Sequence, residues 1–229
     1  MNTPAAVAAP ALVGAGVFHQ LTLQGAAQKW LVEIASLEGL LATGVSAGVG
    51  VFETALLHWF GHSLERIALL AYATHGIVPT HVAREMTLGT FRADFAWISI
   101  DTNAAPVVCF VELEEARPDT LFRQGTRIAP YIGRKFLDGF SQLVDWCCFG
   151  HGEAKNHPLV AAVLGNNNRT VSYNFSLIAG LDDFANNAAL QHRLEWWRRN
   201  IIVGDGTTTL TFSAFCQHAK RNLNNVQHL

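Results

Sequence analysis

The stretch VVCFVELEEARP, residues 107–118, decides how this chain reads. Val107 to Val111 are all apolar, the signature of a strand covered on both faces rather than one with a wet side. The run then meets Glu112, Glu114 and Glu115. Side chains alternate along a strand, so Glu112 and Glu114 leave from one face and Leu113 from the other. A buried strand that ends by directing two carboxylates the same way needs a physical reason.

Working upstream, RADFAWISI (92–100) and HVAREMTL (81–88) are strand candidates, and DTNAAP (101–106) has the turn chemistry of a hairpin loop. If Ile100 pairs near Pro106, Asp94 comes opposite Glu112, and a slip of one residue reverses its face. Helical spacing over 52–73 places Glu53, Leu57, Phe60 and Leu64 in one arc, so a carboxylate sits on an apolar face. An unpaired carboxylate there is costly. Glu53, Asp94, Glu112 and Glu114 thus converge toward one sheet edge. Such a cluster repels itself unless protons or a cation neutralise it. Hard oxygen donors suit Mg²⁺ or Mn²⁺, which activates water and stabilises charge on a phosphate. The same acidic run also reads as a strand reaching solvent with local Glu–Arg pairs, and spacing leaves both readings open.

Elsewhere the pattern predicts a helix over 19–43 through Trp30, Ile34, Leu37 and Leu41. Downstream it predicts a helix over 130–149, with Phe136, Phe140, Leu143 and Cys147 facing the core and Lys135 and Gln142 sharing a polar flank. A loop (150–158), a strand LVAAVLG (159–165), a strand within 169–180 and a helix within 186–201 follow. A strand over 207–212 and a last helix capped by Ser213 complete the chain. The fold class is α/β, a mixed central sheet flanked by helices, with a helical N-terminal extension.

The bulk numbers exclude several classes. Of 229 residues, half are hydrophobic and 15% are charged, and the net charge is −2, from 16 Lys/Arg against 18 Asp/Glu. That is a globular composition without the overall positive field of a strongly basic nucleic-acid binder, so any such binding rests on a local patch. RQGTRIAPYIGRK (123–135) is that patch: Arg123, Arg127, Arg134 and Lys135 with no acid between them. It reads equally as a phosphate-contacting surface and as a solvated basic loop. Four cysteines without a C-x-x-C pair read as reduced core thiols of a cytosolic protein. The first 18 residues carry no charge and two prolines, which reads as a loose leader rather than a secretory signal. With no unbroken apolar run of about 20 residues, no membrane span is expected.

His58 and His62, four apart, and His151, Glu153 and His157 have spacings that metals use, but without the H-E-x-x-H order they read as structural or surface groups. Arg193, Trp196, Trp197, Arg198 and Arg199 read as a packed Trp with snorkelling arginines ahead of a base-stacking face. No G-x-x-x-x-G-K-[ST] phosphate loop and no G-x-S-x-G elbow is present.

At the acidic residues the chain resembles the Shedu antiphage-defence family, whose nuclease domain belongs to the PD-(D/E)XK superfamily. The resemblance rests on Asp94 opening RADFAWISI, on Glu112 with Glu114, and on Arg117–Pro118. It continues in Leu121–Phe122 with Arg123 and Gly125, and in Gln142 with Trp146 on the following helix. FETALLHWFGHSLE resembles the family's first helix, AAVLGNNNR its short strand ending in Gly and a basic residue, and LTFSAFCQHA its closing strand and helix. The resemblance spans about residues 50–220 and is specific over 92–149. It implies a restriction-endonuclease-like core over residues 51–229, with residues 1–50 as a partly helical extension. It further implies a cytoplasmic, Mg²⁺- or Mn²⁺-dependent endonuclease acting on DNA, assembled as a homo-oligomer. Asp94 and Glu112 would hold the metal, with Glu53 as an outer ligand, and Gln142 would shape the site. Arg123, Arg127, Arg134 and Lys135 would meet nucleic acid. Glu114 stands where many superfamily members place lysine. Either Glu114 serves a second metal, or a lysine such as Lys135 arrives from elsewhere, or the fold binds nucleic acid or a protein partner without cutting.

Overall fold

The computed structural model describes residues 11–21, 26–101, 104–165, 169–201, 203–204 and 206–226. In chain order the elements begin with β1 (His19–Gln20), α1 (Ala26–Ser46), α2 (Glu53–Gly61) and α3 (Leu64–His75). Three strands follow, β2 (His81–Leu88), β3 (Phe91–Ser99) and β4 (Val107–Leu113). The short helix α4 (Pro118–Leu121) leads into a small hairpin of β5 (Phe122–Arg123) and β6 (Tyr131–Ile132). Next come α5 (Arg134–Asp145), a π-helical turn (Trp146–Gly150), α6 (His151–Asn156) and α7 (Pro158–Leu164). The chain closes with β7 (Ser172–Ile178), a 3-10 turn (Asp182–Phe184), α8 (Ala188–Asn200), β8 (Thr207–Leu210) and α9 (Phe212–Val226).

Six strands form one mixed sheet in the order β1-β2-β3-β4-β7-β8. Neighbours from β1 to β4 run antiparallel, and β4, β7 and β8 run parallel. The parallel pairing of β4 and β7 follows from the crossover through α5 to α7, because parallel neighbours cannot be joined by a tight turn. β4 lies between two strands and under both helical layers, which is why Val108 to Val111 are fully buried. On one face, α1, α2, α3 and α9 pack around Phe60, Phe95, Trp97 and Phe215. On the other, α5 to α8 pack around Phe110, Leu143, Trp146 and Phe175. Trp30, Ile34, Leu37 and Leu41 of α1 belong to the first of these layers. Cys109 and Cys216 are buried within the fold, and none of the four cysteines is bonded to another. Among the described residues no helix is long and apolar enough to cross a membrane.

Several sequence-based boundaries move. The helix expected over 19–43 begins at Ala26, because His19–Gln20 pairs with Val82 and His81 and extends the sheet edge. The helix expected over 52–73 is two helices, divided where Ser63 turns extended and its hydroxyl accepts the Arg66 N–H. The helix expected from 130 starts at Arg134, since Tyr131–Ile132 pairs back onto β5. The expected loop 150–158 contains α6, and the expected strand 159–165 is α7. There His157 caps through Nδ1 and Pro158 occupies the first turn, two start signals that outweigh a short apolar run ambiguous between helix and strand. The last helix is capped by Thr211, whose hydroxyl accepts the Ala214 N–H, while Ser213 bonds Asp182 and Asp183 instead.

Candidate active site

Phe95 pairs with Val111 and Ser99 with Val107, the register that places Asp94 opposite Glu112. The β3–β4 ladder stops there. Leu113 N–H donates to Asp94 Oδ2 at 2.8 Å, so the carboxylate takes the place of a strand carbonyl. On the other edge β2 pairs with β3 on both sides of Asp94 but skips the Glu85–Asp94 position. Glu85 has a φ of 53°, the single positive value at a non-glycine among the described residues. The distortion slips the alternation by one: Ala93, Ala96 and Ile98 all face the same core layer. Local departures of this kind re-aim a side chain beside a site.

A second device positions Glu53 and Glu114. Val51 and Ala116 exchange both backbone hydrogen bonds, at 3.0 and 2.8 Å. Glu53 lies two residues after Val51 and Glu114 two before Ala116, so this antiparallel bridge sets the two carboxylates opposite each other. The bridge requires Gly50, whose φ is 71° and whose missing Cβ would run into the Ala116 backbone.

The third contribution is α5. Lys135 Nζ donates to Glu53 Oε2 at 2.9 Å and lies 3.3 Å from Glu114 Oε2. One turn on, Gly139 lets the helix close on the strand: a Cβ there would stand 2.9 Å from Glu114 Cγ and 2.7 Å from Leu177 Cδ1. A further turn on, Gln142 Nε2 donates to the Arg92 carbonyl at 3.1 Å and fastens the helix to the start of β3. The flank that carries Lys135 and Gln142 also carries Asp138 and Asp145, three or four residues apart each time. Asp138, Gln142 and Asp145 together with Glu53, Arg92, Asp94 and Glu112 line an open cleft of about 530 Å³. Arg92, Asp138 and Asp145 were missed by the sequence reading. The wheel arithmetic that joined Lys135 to Gln142 reaches both aspartates, whereas Arg92 depends on the distortion at Asp94.

Burial dominates the electrostatics. It raises the Asp94 carboxyl to about 7, with the Leu113 N–H opposing and Glu53 adding to the rise. Glu114 is raised to about 7 by burial, opposed chiefly by the Lys135 charge. Glu112 is raised further, first by burial and then by Asp94, Glu114 and Glu53 around it. Its Oε2 is buried and accepts no hydrogen bond. Lys135 is pushed up, mostly by its hydrogen bond to Glu53.

This donor set fits a hard divalent cation. The orphaned Glu112 oxygen and the crowded carboxyls are both conditions that a cation relieves. Among the described residues no three His, Cys, Asp or Glu side chains form a closed metal-holding group. A cation here would draw on few protein oxygens, with water and substrate supplying the remaining ligands. Glu112 through its unpartnered Oε2, with Asp94 opposite it, would hold such a cation, since Glu53 is engaged by Lys135.

The basic run divides. Lys135 turns inward to Glu53 and Glu114, whereas Arg134 is exposed, 3.6 Å from Asp138 of the cleft. Arg123 and Arg127 stand over the Tyr131 ring on the β5–β6 hairpin. Most of the other singled-out groups are spent on packing or capping, while Trp196 and Arg199 are exposed. Trp197 packs edge-on against Phe136 and Phe140, and Arg198 holds Asp182 at 2.8 Å. His151 packs on Phe175 and His157 caps α7. His58 and His62 meet edge to face with ring centroids 4.4 Å apart.

A family model described as Shedu protein SduA, C-terminal, matches residues 56–212, more than half of the chain. The chain belongs to that family. The match takes in Asp94, Glu112, Glu114, Lys135 and Gln142, and Glu53 lies three residues before it. A search of curated proteins gives no match.

Proposed function

We propose that this Shedu-family chain is a divalent-metal-dependent DNA endonuclease of PD-(D/E)XK type that serves antiphage defence in the cytoplasm. The observation that carries the proposal is Lys135. Its ammonium, delivered by α5, lies within 3.3 Å of both Glu53 and Glu114, and Glu53 in turn lines the cleft with Asp94 and Glu112. An acid pair with a neighbouring lysine is what phosphodiester hydrolysis asks of a site of this type, and Glu114 in the usual lysine position leaves room for a lysine from the helix.

In this reading Asp94 and Glu112 hold Mg²⁺ or Mn²⁺. When bound, the cation supplies activation of water and stabilisation of charge on the phosphate. The chain's own groups do the rest. Lys135 offsets phosphate charge, and Glu53 and Glu114 aim its ammonium. Gln142 holds β3 at Arg92, and Arg92 offers its guanidinium to the phosphate backbone from the cleft wall. Each subunit cuts one strand, so a homo-oligomer presents two clefts to a duplex.

A second reading, a non-cutting nucleic-acid or protein sensor on the same fold, is favoured by one observation. Glu114, a carboxylate, stands where many members of the superfamily place lysine, and it is paired with Lys135 at 3.3 Å. Supercoiled plasmid with millimolar Mg²⁺ or Mn²⁺ separates the two. Metal-dependent nicking that disappears in Glu112→Gln supports the endonuclease. DNA binding without nicking in either protein supports the sensor.

A further inference from the structure

The β5–β6 hairpin leads directly into α5, which carries the cleft residues Asp138, Gln142 and Asp145, and its features are not used by the chemistry above. Phe122 pairs with Ile132 and Arg123 with Tyr131, leaving residues 124–130 as the connecting loop. Most loops of this length owe their form to packing against the body. This one is organised around a single ring. Tyr131 carries Arg127 at 4.1 Å and Arg123 at 5.5 Å from its centroid. Its hydroxyl lies 3.4 Å from Thr126 Oγ1, and Gly125 is crossed so closely that a Cβ would collide with the ring. The Pro130 carbonyl accepts from both Arg127 and Arg193, which ties the loop to α8.

At the tip of this braced loop stands Ile128, completely exposed at 102% of its reference area. A branched aliphatic side chain held fully in water, on a scaffold that prevents it from folding back, is matched to a surface that will bury it. The charge around it says which surface. Between Asp119 and Asp138 the chain carries Arg123, Arg127, Arg134 and Lys135 and no acid. The hairpin's last strand runs through Gly133 directly into α5, so Lys135 lies three residues from the hairpin base. Arg134, next after Gly133, lies 3.6 Å from Asp138 of the cleft wall, so a duplex extending past that rim runs toward the hairpin.

We infer that the β5–β6 hairpin reads the minor groove of the substrate duplex, with Ile128 as an apolar wedge that partly unstacks a base step and Arg123 and Arg127 on the flanking phosphates. This rests on the endonuclease reading above, since it takes duplex DNA as the ligand. The chemistry is matched to the groove. Apolar wedges of Ile, Leu, Phe or Met entering from the minor groove kink the duplex, and arginine is drawn to its narrow, negative form. The groove is about 6 Å wide, enough for one loop tip and too narrow for a helix.

The test uses the full chain and a short A·T-rich duplex carrying 2-aminopurine, without divalent metal so that nothing is cut. Binding by the natural protein is expected to brighten the probe and to be displaced by netropsin, which fills the minor groove, but not by the major-groove dye methyl green. Ile128→Ala is expected to lose the brightening and to bind roughly tenfold more weakly, the scale of burying one branched side chain. Arg127→Ala, in contrast, should lower the salt dependence of binding by about one phosphate contact. An unchanged probe response in Ile128→Ala, or indifference to netropsin, overturns the inference. So does a fall in oligomer mass in Ile128→Ala, which would make the tip a subunit contact. Parallel plasmid nicking keeps the two readings apart. Nicking with no probe response sinks the hairpin role alone, and a probe response with no nicking sinks the endonuclease alone.

Discussion

Replacing Lys135 with Met removes the ammonium and keeps most of the apolar stem. Two unit charges about 4 Å apart interact by ~4 kcal/mol at an effective dielectric of 20. The Lys135 side chain is 45% exposed, however, and exposed pairs retain only about 1 kcal/mol or less. The cost is limited further because Glu114, at 8% side-chain exposure and already raised to about 7, takes up a proton once its cation is gone. The expected destabilisation is about 1–2 kcal/mol, a Tm fall of roughly 2–8 °C for a chain of this size. The effect on cutting should be far larger. Loss of one preorganised donor at developing charge typically costs about 10²–10³ in rate. Thermal melts and initial nicking rates on supercoiled plasmid measure the two effects. A variant that melts early yet cuts within about threefold of the natural protein would refute the reasoning and reduce Lys135 to an ion-pair partner.

Glu112→Gln should leave the metal-free Tm nearly unchanged, because burial and the neighbouring carboxyls already keep Glu112 protonated at neutral pH. It should, however, abolish the stabilisation by millimolar Mg²⁺ or Mn²⁺, about 1.4 kcal/mol at tenfold over Kd in the natural protein. The pH dependence follows the same sign. Asp94 and Glu114 ordinarily titrate near pH 4 and are raised to about 7 here, so their contribution to stability is complete below about pH 4 and is lost as pH rises through 7. Metal-free melts should therefore fall over that window, less steeply in Asp94→Asn, and added Mg²⁺ should restore more at pH 8 than at pH 5. Gly139→Ala gains about 1 kcal/mol of helix propensity but must displace Leu177 Cδ1 and Glu114 Cγ, an overpacking cost of about 1–3 kcal/mol. A small net loss in Tm with a larger loss in nicking is expected, and a rise in both would show that α5 need not close on β4.

Much of the candidate site was legible because it depends on local rules. Strand alternation placed Glu112 and Glu114 on one face, and the turn chemistry of residues 101–106 set a hairpin register that puts Asp94 across from Glu112. The helical wheel joined Lys135 to Gln142. The errors have an equally local cause. LVAAVL is short and apolar enough for either strand or helix, and the decision fell to His157 and Pro158 at its start. The break between α2 and α3 turned on one serine within an otherwise continuous helical pattern.

What the sequence by itself determined is the apolar strand covered on both faces, its acidic end and the basic stretch after it, since each is written in patterns two to four residues long; the strand order and the parallel pairing of β4 with β7 came from the tertiary structure. Only the tertiary structure decided which cation meets which carboxylate. Lys135 is 82 residues from Glu53, and their meeting depends on the Val51–Ala116 bridge, the fit of Gly139 against Leu177 and the fastening of Gln142 to Arg92. The backbone distortion at Glu85 that aims Asp94 is likewise invisible in the sequence, because a positive φ at a non-glycine is imposed by packing around it rather than favoured by the residue itself.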